Sequence, residues 1–280
     1  MSISADRSDL DALVDLLACP LCRGRVERGG STLSCVVCGE PYRIIDGVAV
    51  MLPGSPEVAR IQEAHESFQL PEELLDELRA LPGRWLHVGA GASQQREPGC
   101  VELELSIFTH TDVIGDVARL PFADREFDAV VAFNVFEHLP APSTAAAELR
   151  RVLVPGGRLR IQTAFLQPLH ADPSHYYNAT ETGVRQWFTG FDVEAVSVTP
   201  NFNPAFALSW FASDLLFGAA VLGDDTAARL GATTLAEWAQ FWREPADRAR
   251  LWDVMSRLPD EIQRRLAAGF EVSARRPLDS

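Results

Sequence analysis

The sequence predicts an open α/β sheet that holds a nucleoside-like ligand at the carboxyl ends of its strands, and three observations predict it. Strand-like runs at Trp85-Leu-His-Val88, Phe127-Asp-Ala-Val-Val-Ala-Phe133 and Arg158-Leu-Arg-Ile-Gln-Thr163 alternate with turn and helix signals, as parallel strands joined by crossovers do. The first run leads directly into Gly89-Ala-Gly91, a turn whose missing side chains let backbone approach a ligand. A second strand, Val101-Glu-Leu-Glu-Leu105, ends in acid, the residue type that accepts ribose hydroxyls.

The remaining elements follow in order. Pro53-Gly-Ser-Pro56 is a cluster of breakers and marks a boundary. Glu57 to Leu81 reads as one or two helices, with Pro71-Glu-Glu a good start, and Pro82-Gly83 ends it. Glu104 is the ribose candidate and Glu102 the alternative; a solvated strand face fits the same alternation. Asp112 to Asp116 reads as a third strand, Phe127 to Phe133 as a fourth and Arg158 to Thr163 as a fifth. A helix over Pro142 to Leu153, closed by Pro155-Gly-Gly157, precedes the fifth, and Phe191 to Val198 reads as a sixth. Residues 200 to 268 are mostly helical by pattern. Pro204 to Leu222 has one charge, Asp214, and reads as a buried or interfacial helix rather than a membrane span.

Composition narrows the function. The chain has 280 residues, room for one large domain and a small one, and a net charge of −14, which disfavours a nucleic-acid surface. All 25 basic residues are Arg, which excludes Schiff-base chemistry and a Walker-type phosphate loop. Met1 to Leu17 carries four Asp and no long apolar run, so no signal peptide is expected, and a reduced, cytoplasmic protein is.

Cys19-Pro-Leu-Cys22 and Cys35-Val-Val-Cys38 are two Cys-x2-Cys knuckles separated by twelve residues. Two such knuckles make a closed tetrahedral zinc site, structural rather than catalytic; redox dithiols or disulfides are the alternatives. Gly24 and Gly39 are expected to supply tight turns after the knuckles.

The segment from Leu16 through Cys22 to Tyr42-Arg-Ile-Ile-Asp-Gly-Val-Ala-Val-Met-Leu-Pro53 resembles the small zinc-ribbon protein that activates tRNA and release-factor methyltransferases. The resemblance implies a ribbon that packs on a methyltransferase, here fused to it; a homodimer or a protein partner through the ribbon is a separate expectation. Leu120-Pro-Phe122, Phe127-Asp128, Glu137-His-Leu139 and Val154-Pro-Gly-Gly157 are similar to the class I S-adenosylmethionine (SAM)-dependent methyltransferases of the type 11 kind. That resemblance implies a Rossmann-like sheet with SAM as cofactor. Gly89 and Gly91 would contact SAM, Glu104 its ribose, Asp116 and Val117 its adenine, and Asn134 its methionine part. It also implies a last, antiparallel strand within 269–280, which makes 200–268 a helical cap insertion. The expected order is ribbon 1–56, linker helices 57–83, methyltransferase core 84–199, cap 200–268 and last strand 269–280.

The chain departs from the family at three places: His87 stands where an acid is usual, Ser93 replaces the third glycine, and eleven residues, Ala90 to Cys100, join the first two core strands. The loop after the fifth strand, Leu166 to Thr180, concentrates His170, His175, Tyr176, Tyr177 and Asn178. His175 and His170 are the candidate bases for a hydroxyl acceptor and the tyrosines the pocket walls; capping or backbone binding by the histidines is the alternative. His138 reads as structural. The expected function is methylation of a small molecule or glycan at O or N. The alternatives are an rRNA methyltransferase and a degenerate methyltransferase-fold binding subunit.

Overall fold

The computed structural model describes residues 10–61, 67–171, 173–243 and 254–270. They fall into two compact units. One runs to Phe165 and resumes over Tyr176–Val196; the other holds Leu166–His175 and the chain from Ser197.

The first unit begins with helix α1 (Leu10–Val14) and an antiparallel meander of β1 (Val26–Gly29), β2 (Thr32–Cys35), β3 (Pro41–Ile45) and β4 (Val48–Val50). Asp46 and Gly47, both with positive φ, form the two-residue turn between β3 and β4. Then come β5 (Trp85–Val88), β6 (Cys100–Glu104), β7 (Val113–Ile114), β8 (Phe127–Phe133) and β9 (Leu153–Gln162). These five are parallel to one another. The order β1-β2-β3-β4-β7-β6-β5-β8-β9 makes one sheet of nine strands among the described residues.

The two halves of this sheet join through β4 and β7, which pair in parallel, Ala49 opposite Val113 and Val50 opposite Ile114. Val48, Ala49, Val50, Val113 and Ile114 are all buried, the all-apolar pattern of a strand covered on both faces. A second seam lies at Leu17 and Phe122, which form an antiparallel bridge. There Ala18 N–H donates to Pro121 O at 3.0 Å and Ala123 N–H to Leu16 O at 2.9 Å. Arg23 adds an ion pair to Glu148 at 3.0 Å, and Glu148 also accepts from Leu120 N–H. Leu16, Leu17, Tyr42 and Met51 consequently share one apolar core with Leu103, Phe122 and Phe127.

Helix α2 (Glu72–Arg79) starts after Pro71, which cannot continue a helix backwards, and packs Leu75 and Leu78 toward Trp85 and Val131. Helix α3 (Pro142–Val152) carries Pro at its first turn and buries Ala145, Ala146, Leu149 and Val152. Helix α4 is Glu181–Trp187, capped by Thr180.

Several expectations are corrected. Of Glu57 to Leu81, only Glu72–Arg79 is helical among the described residues. The third strand shortens to Val113–Ile114. No helix forms between β5 and β6. No strand forms over Phe191 to Val198; Phe191 and Val193 are held by side-chain packing on the core and make no ladder. The expected last strand falls largely on residues from 271 onward, outside the described residues.

The second unit contains α5 (Pro204–Val221), α6 (Asp224–Gly231), α7 (Leu235–Arg243) and α8 (Asp260–Arg265). Among the described residues its core is formed by Ala219, Leu230, Leu258 and Ile262. Gly218 permits the close approach of α5 to Ile262, since a Cβ there would lie 2.7 Å from Ile262 Cγ2. The α5 helix is not buried as the first of its two readings had it. Only Gly218 and Ala219 are buried, while Phe206, Leu208, Phe217 and Val221 are exposed. By length and composition alone α5 is long and apolar enough to cross a membrane. Its one charge, Asp214, accepts from Arg265 Nε at 2.6 Å.

Candidate active site and metal centre

The knuckles bring Cys19, Cys22, Cys35 and Cys38 together, with all four sulfurs within 4.8 Å of one another and no disulfide. Cys19 Sγ lies 3.6 Å from Cys38 Sγ, and Cys22 Sγ 3.4 Å from Cys35 Sγ. A tetrahedral zinc with bonds of about 2.3 Å needs sulfurs about 3.8 Å apart, so a small outward movement accommodates it. The first knuckle turns through Arg23 (φ 61) and the second through Gly39 (φ 75). Gly24, expected to supply the positive φ, instead supplies space, since a Cβ there would lie 2.9 Å from Cys35 Sγ. Burial opposes ionisation of Cys35, but the N–H groups of Cys38 and Val37 outweigh it and hold its thiol below the usual range. The buried Tyr42 hydroxyl sits 3.0 Å from Cys19 Sγ and can donate to that thiolate.

At the other site, β5, β6, β7 and β8 end on one edge. Gly89 (φ 71) and Gly91 (φ 61) follow β5 in conformations that exclude ordinary side chains. Gly89 N–H donates to Leu103 O at 2.9 Å, which sets the turn against the end of β6. Glu104 ends β6, and its carboxylate accepts from the N–H groups of Gly91 and Leu105. Burial raises the Glu104 pKa and those two N–H groups oppose the rise. Asp116 is exposed just past β7, where its Oδ1 caps a short helical turn by accepting from Ala118 N–H. Val117 is buried in the core, so only its backbone can face a ligand. Asn134 follows β8 at φ 56, and its N–H donates to Gln162 O at 2.9 Å. The glycine turn, Glu104, Asp116 and Asn134 are thus brought to one edge.

Glu102, the alternative to Glu104, lies deeper. It is 4% exposed, and its Oε1 accepts from Ser93 Oγ at 2.7 Å. Burial lifts its pKa to about 7. His87, opposite Glu102 across the β5–β6 ladder, is buried, and desolvation lowers its pKa to about 4. The usual acid is thus replaced by a neutral imidazole.

The loop after β9 divides between the two units. Tyr176 and Tyr177 stay with the sheet, their N–H groups donating to Glu137 O at 2.8 and 3.2 Å. Glu137, which the sequence reading did not assign, is fully buried and accepts from Thr163 Oγ1 at 3.0 Å. His170 and His175 belong to the second unit, with ring centroids 4.3 Å apart. His170 Nδ1 lies 2.9 Å from Pro168 O, to which it can donate when protonated. His175 Nδ1 accepts from His170 N–H at 3.2 Å, which puts the proton of neutral His175 on Nε2. Arg265 fastens this loop by donating to Leu169 O at 2.8 Å, while Leu169 N–H donates to Arg265 O at 3.0 Å.

Residues 90–161 match the family described as methyltransferase domain, and residues 11–47 match the family described as Trm112p-like protein. A demethylmenaquinone methyltransferase of Renibacterium salmoninarum is 36% identical over 103 residues, covering 31% of this chain and 44% of that protein. A sterol 24-C-methyltransferase of Gibberella zeae is 47% identical over 45 residues, 16% of this chain and 12% of that protein. The chain thus spans less than half the length of these relatives. Among solved structures, the phosphoethanolamine N-methyltransferase 2 of Haemonchus contortus in complex with SAM has 15% identity. It covers 64% of this chain and 48% of that one, at a TM-score of 0.37. Residues 90–161 are thus similar to methyltransferase domains, and residues 11–47 to Trm112p-like proteins.

Proposed function

We propose that the chain methylates a small molecule or glycan at O or N, holding SAM at the edge formed by Gly89, Gly91, Glu104, Asp116 and Asn134. The observation that carries this reading is the convergence of the glycine turn and the Glu104 carboxylate at the ends of parallel strands. SAM, when bound, supplies a methyl group on a sulfonium leaving group. The glycine turn leaves room for the nucleoside, Glu104 offers carboxylate oxygens to ribose hydroxyls, and Asp116 offers its outer oxygen near the adenine. An acceptor hydroxyl needs its proton removed, and His170 and His175, on the loop after β9, are the candidate bases. The matched relatives are named for a quinone precursor and a sterol, which favours small-molecule acceptors. The net charge of −14 disfavours RNA.

Cys19, Cys22, Cys35 and Cys38 would hold a structural zinc, whose role is to close the ribbon rather than to act on substrate. The ribbon's protein partner, in this reading, is the chain's own sheet, since β4 is already paired with β7. One observation favours the binding-subunit reading: buried, neutral His87 stands in place of an acid beside a glycine turn that has no following helix.

Release of S-adenosylhomocysteine, measured against a panel of quinols, sterols and sugars with ribosomal RNA as a further arm, tests the proposal. Turnover with a small acceptor is expected. Turnover with RNA alone, or SAM binding without turnover on any arm, overturns it.

A further inference from the structure

Glycine turns that bind nucleotides are ordinarily steadied by the helix that follows, whose first turn gathers their N–H groups. This chain has no helix between Gly89 and Cys100. The turn's polar groups are satisfied from outside. Ala92 N–H donates to Ser67 Oγ at 2.9 Å. Gln69 pairs with the loop through both ends of its amide: Nε2 donates to Ala92 O at 3.1 Å, and Oε1 accepts from Gln94 N–H at 3.1 Å. Nε2 also donates to the backbone carbonyl of Ser67 at 2.9 Å, which fixes the Gln69 side chain against the Ser67 backbone. Between them Phe68 tilts on Phe133, the last residue of β8, with ring centroids 6.0 Å apart. The contact is close: a Cβ on Gly91 would lie 2.9 Å from Ser67 Cβ.

We propose that Ser67 and Gln69 are positioning residues for the nucleoside site: an extended strap, Ser67–Leu70, replaces the missing crossover helix and holds Gly91–Gln94 in the shape that receives SAM. This rests on the reading of the glycine turn as the SAM site. A backbone turn left with unpaired N–H groups samples many conformations, and binding must then select one. Ser67 and Gln69 remove that cost before the ligand arrives, while touching no reacting atom.

The experiment titrates S-adenosylhomocysteine into wild type, Ser67→Ala, Gln69→Leu, the double variant and Ser67→Thr, and follows hydrogen exchange at the Ala92 and Gln94 amides without ligand. Each single variant is expected to bind about 3- to 10-fold more weakly, the loss of one or two ordinary hydrogen bonds. Ala92 should exchange faster in Ser67→Ala, and Gln94 in Gln69→Leu. The thermal midpoint should stay near wild type, and Ser67→Thr, which keeps the hydroxyl, should restore affinity. Unchanged affinity in the double variant overturns the proposal. So does a loss of affinity matched by a general loss of stability that Ser67→Thr does not reverse. Wild type that binds no S-adenosylhomocysteine removes the functional reading itself, a different failure from wild-type binding with indifferent variants.

Discussion

If the four thiols hold zinc as proposed, removing it should disable the proposed SAM site as well as the ribbon. The perturbation is Cys35→Ser, which takes one ligand from the four-thiol cluster, or a chelator on the wild type, which takes the metal itself. Two seams transmit the loss. Four backbone hydrogen bonds cross them, from Ala49 N–H, Met51 N–H, Ala18 N–H and Ala123 N–H, at about 1 kcal/mol each. Leu16, Leu17 and Met51 are each buried in the shared core, at about 1.5–3 kcal/mol per side chain. Together these are of the same order as the roughly 5–15 kcal/mol that separates a folded domain from its unfolded chain. The β4–β7 pairing also supports the strand that leads to Asp116. Heat or urea denaturation, followed by near-ultraviolet dichroism and by SAM binding in parallel, should show both signals lost in one step, at a much lower midpoint without metal. A ribbon that melts alone, leaving the SAM-dependent transition in place, would refute the shared-core reasoning.

Other outcomes follow from single side chains. Glu104→Ala should weaken SAM binding by about 1.5–3 kcal/mol, the worth of hydrogen bonds to a charged acceptor, and calorimetry at fixed pH measures it. Glu102 has a folded-state pKa raised from 4.5 to about 7, so it favours the folded state while protonated and loses about 3 kcal/mol of stability as pH rises through that window. Glu102→Gln should therefore gain stability over wild type progressively between pH 5 and pH 8, read from urea midpoints; a gap that does not change with pH contradicts the assignment. His170→Ala should lower turnover on a hydroxyl acceptor by about 10²–10⁴-fold with SAM affinity intact, and His175→Ala should cost less, because its Nδ1 already serves as an acceptor.

Much of this architecture was legible because its signals are local. Trp85–Val88 and Phe127–Phe133 form strands over the residues their apolar runs mark, and the Cys-x2-Cys spacing by itself predicts four converging thiols. The glycine turn and Glu104 could be placed because each sits at a strand end. What escaped depends on distant partners. The joining of β4 to β7 is a choice of edge, and nothing in Val48-Ala-Val50 names the neighbour, although its unbroken apolar character does mark an interior strand. Ser67 and Gln69 lay inside a stretch read as helix; Pro71 disfavours helix just before it, and that signal could have exposed an extended strap. The segment from Phe191 to Val198 alternates like a strand, yet packing of Phe191 and Val193 replaces the ladder. The grouping of Leu166–His175 with the second unit depends on Arg265, almost a hundred residues away in sequence.

Calorimetric titration of SAM into the purified, metal-replete protein tests the central claim most directly. The account predicts saturable binding of one SAM per chain, abolished in Gly91→Val, because a side chain there would fill space already shared with Ser67 and would force a positive φ on a β-branched residue. A wild type with no measurable affinity for SAM, or a Gly91→Val variant that binds as tightly as wild type, would contradict it.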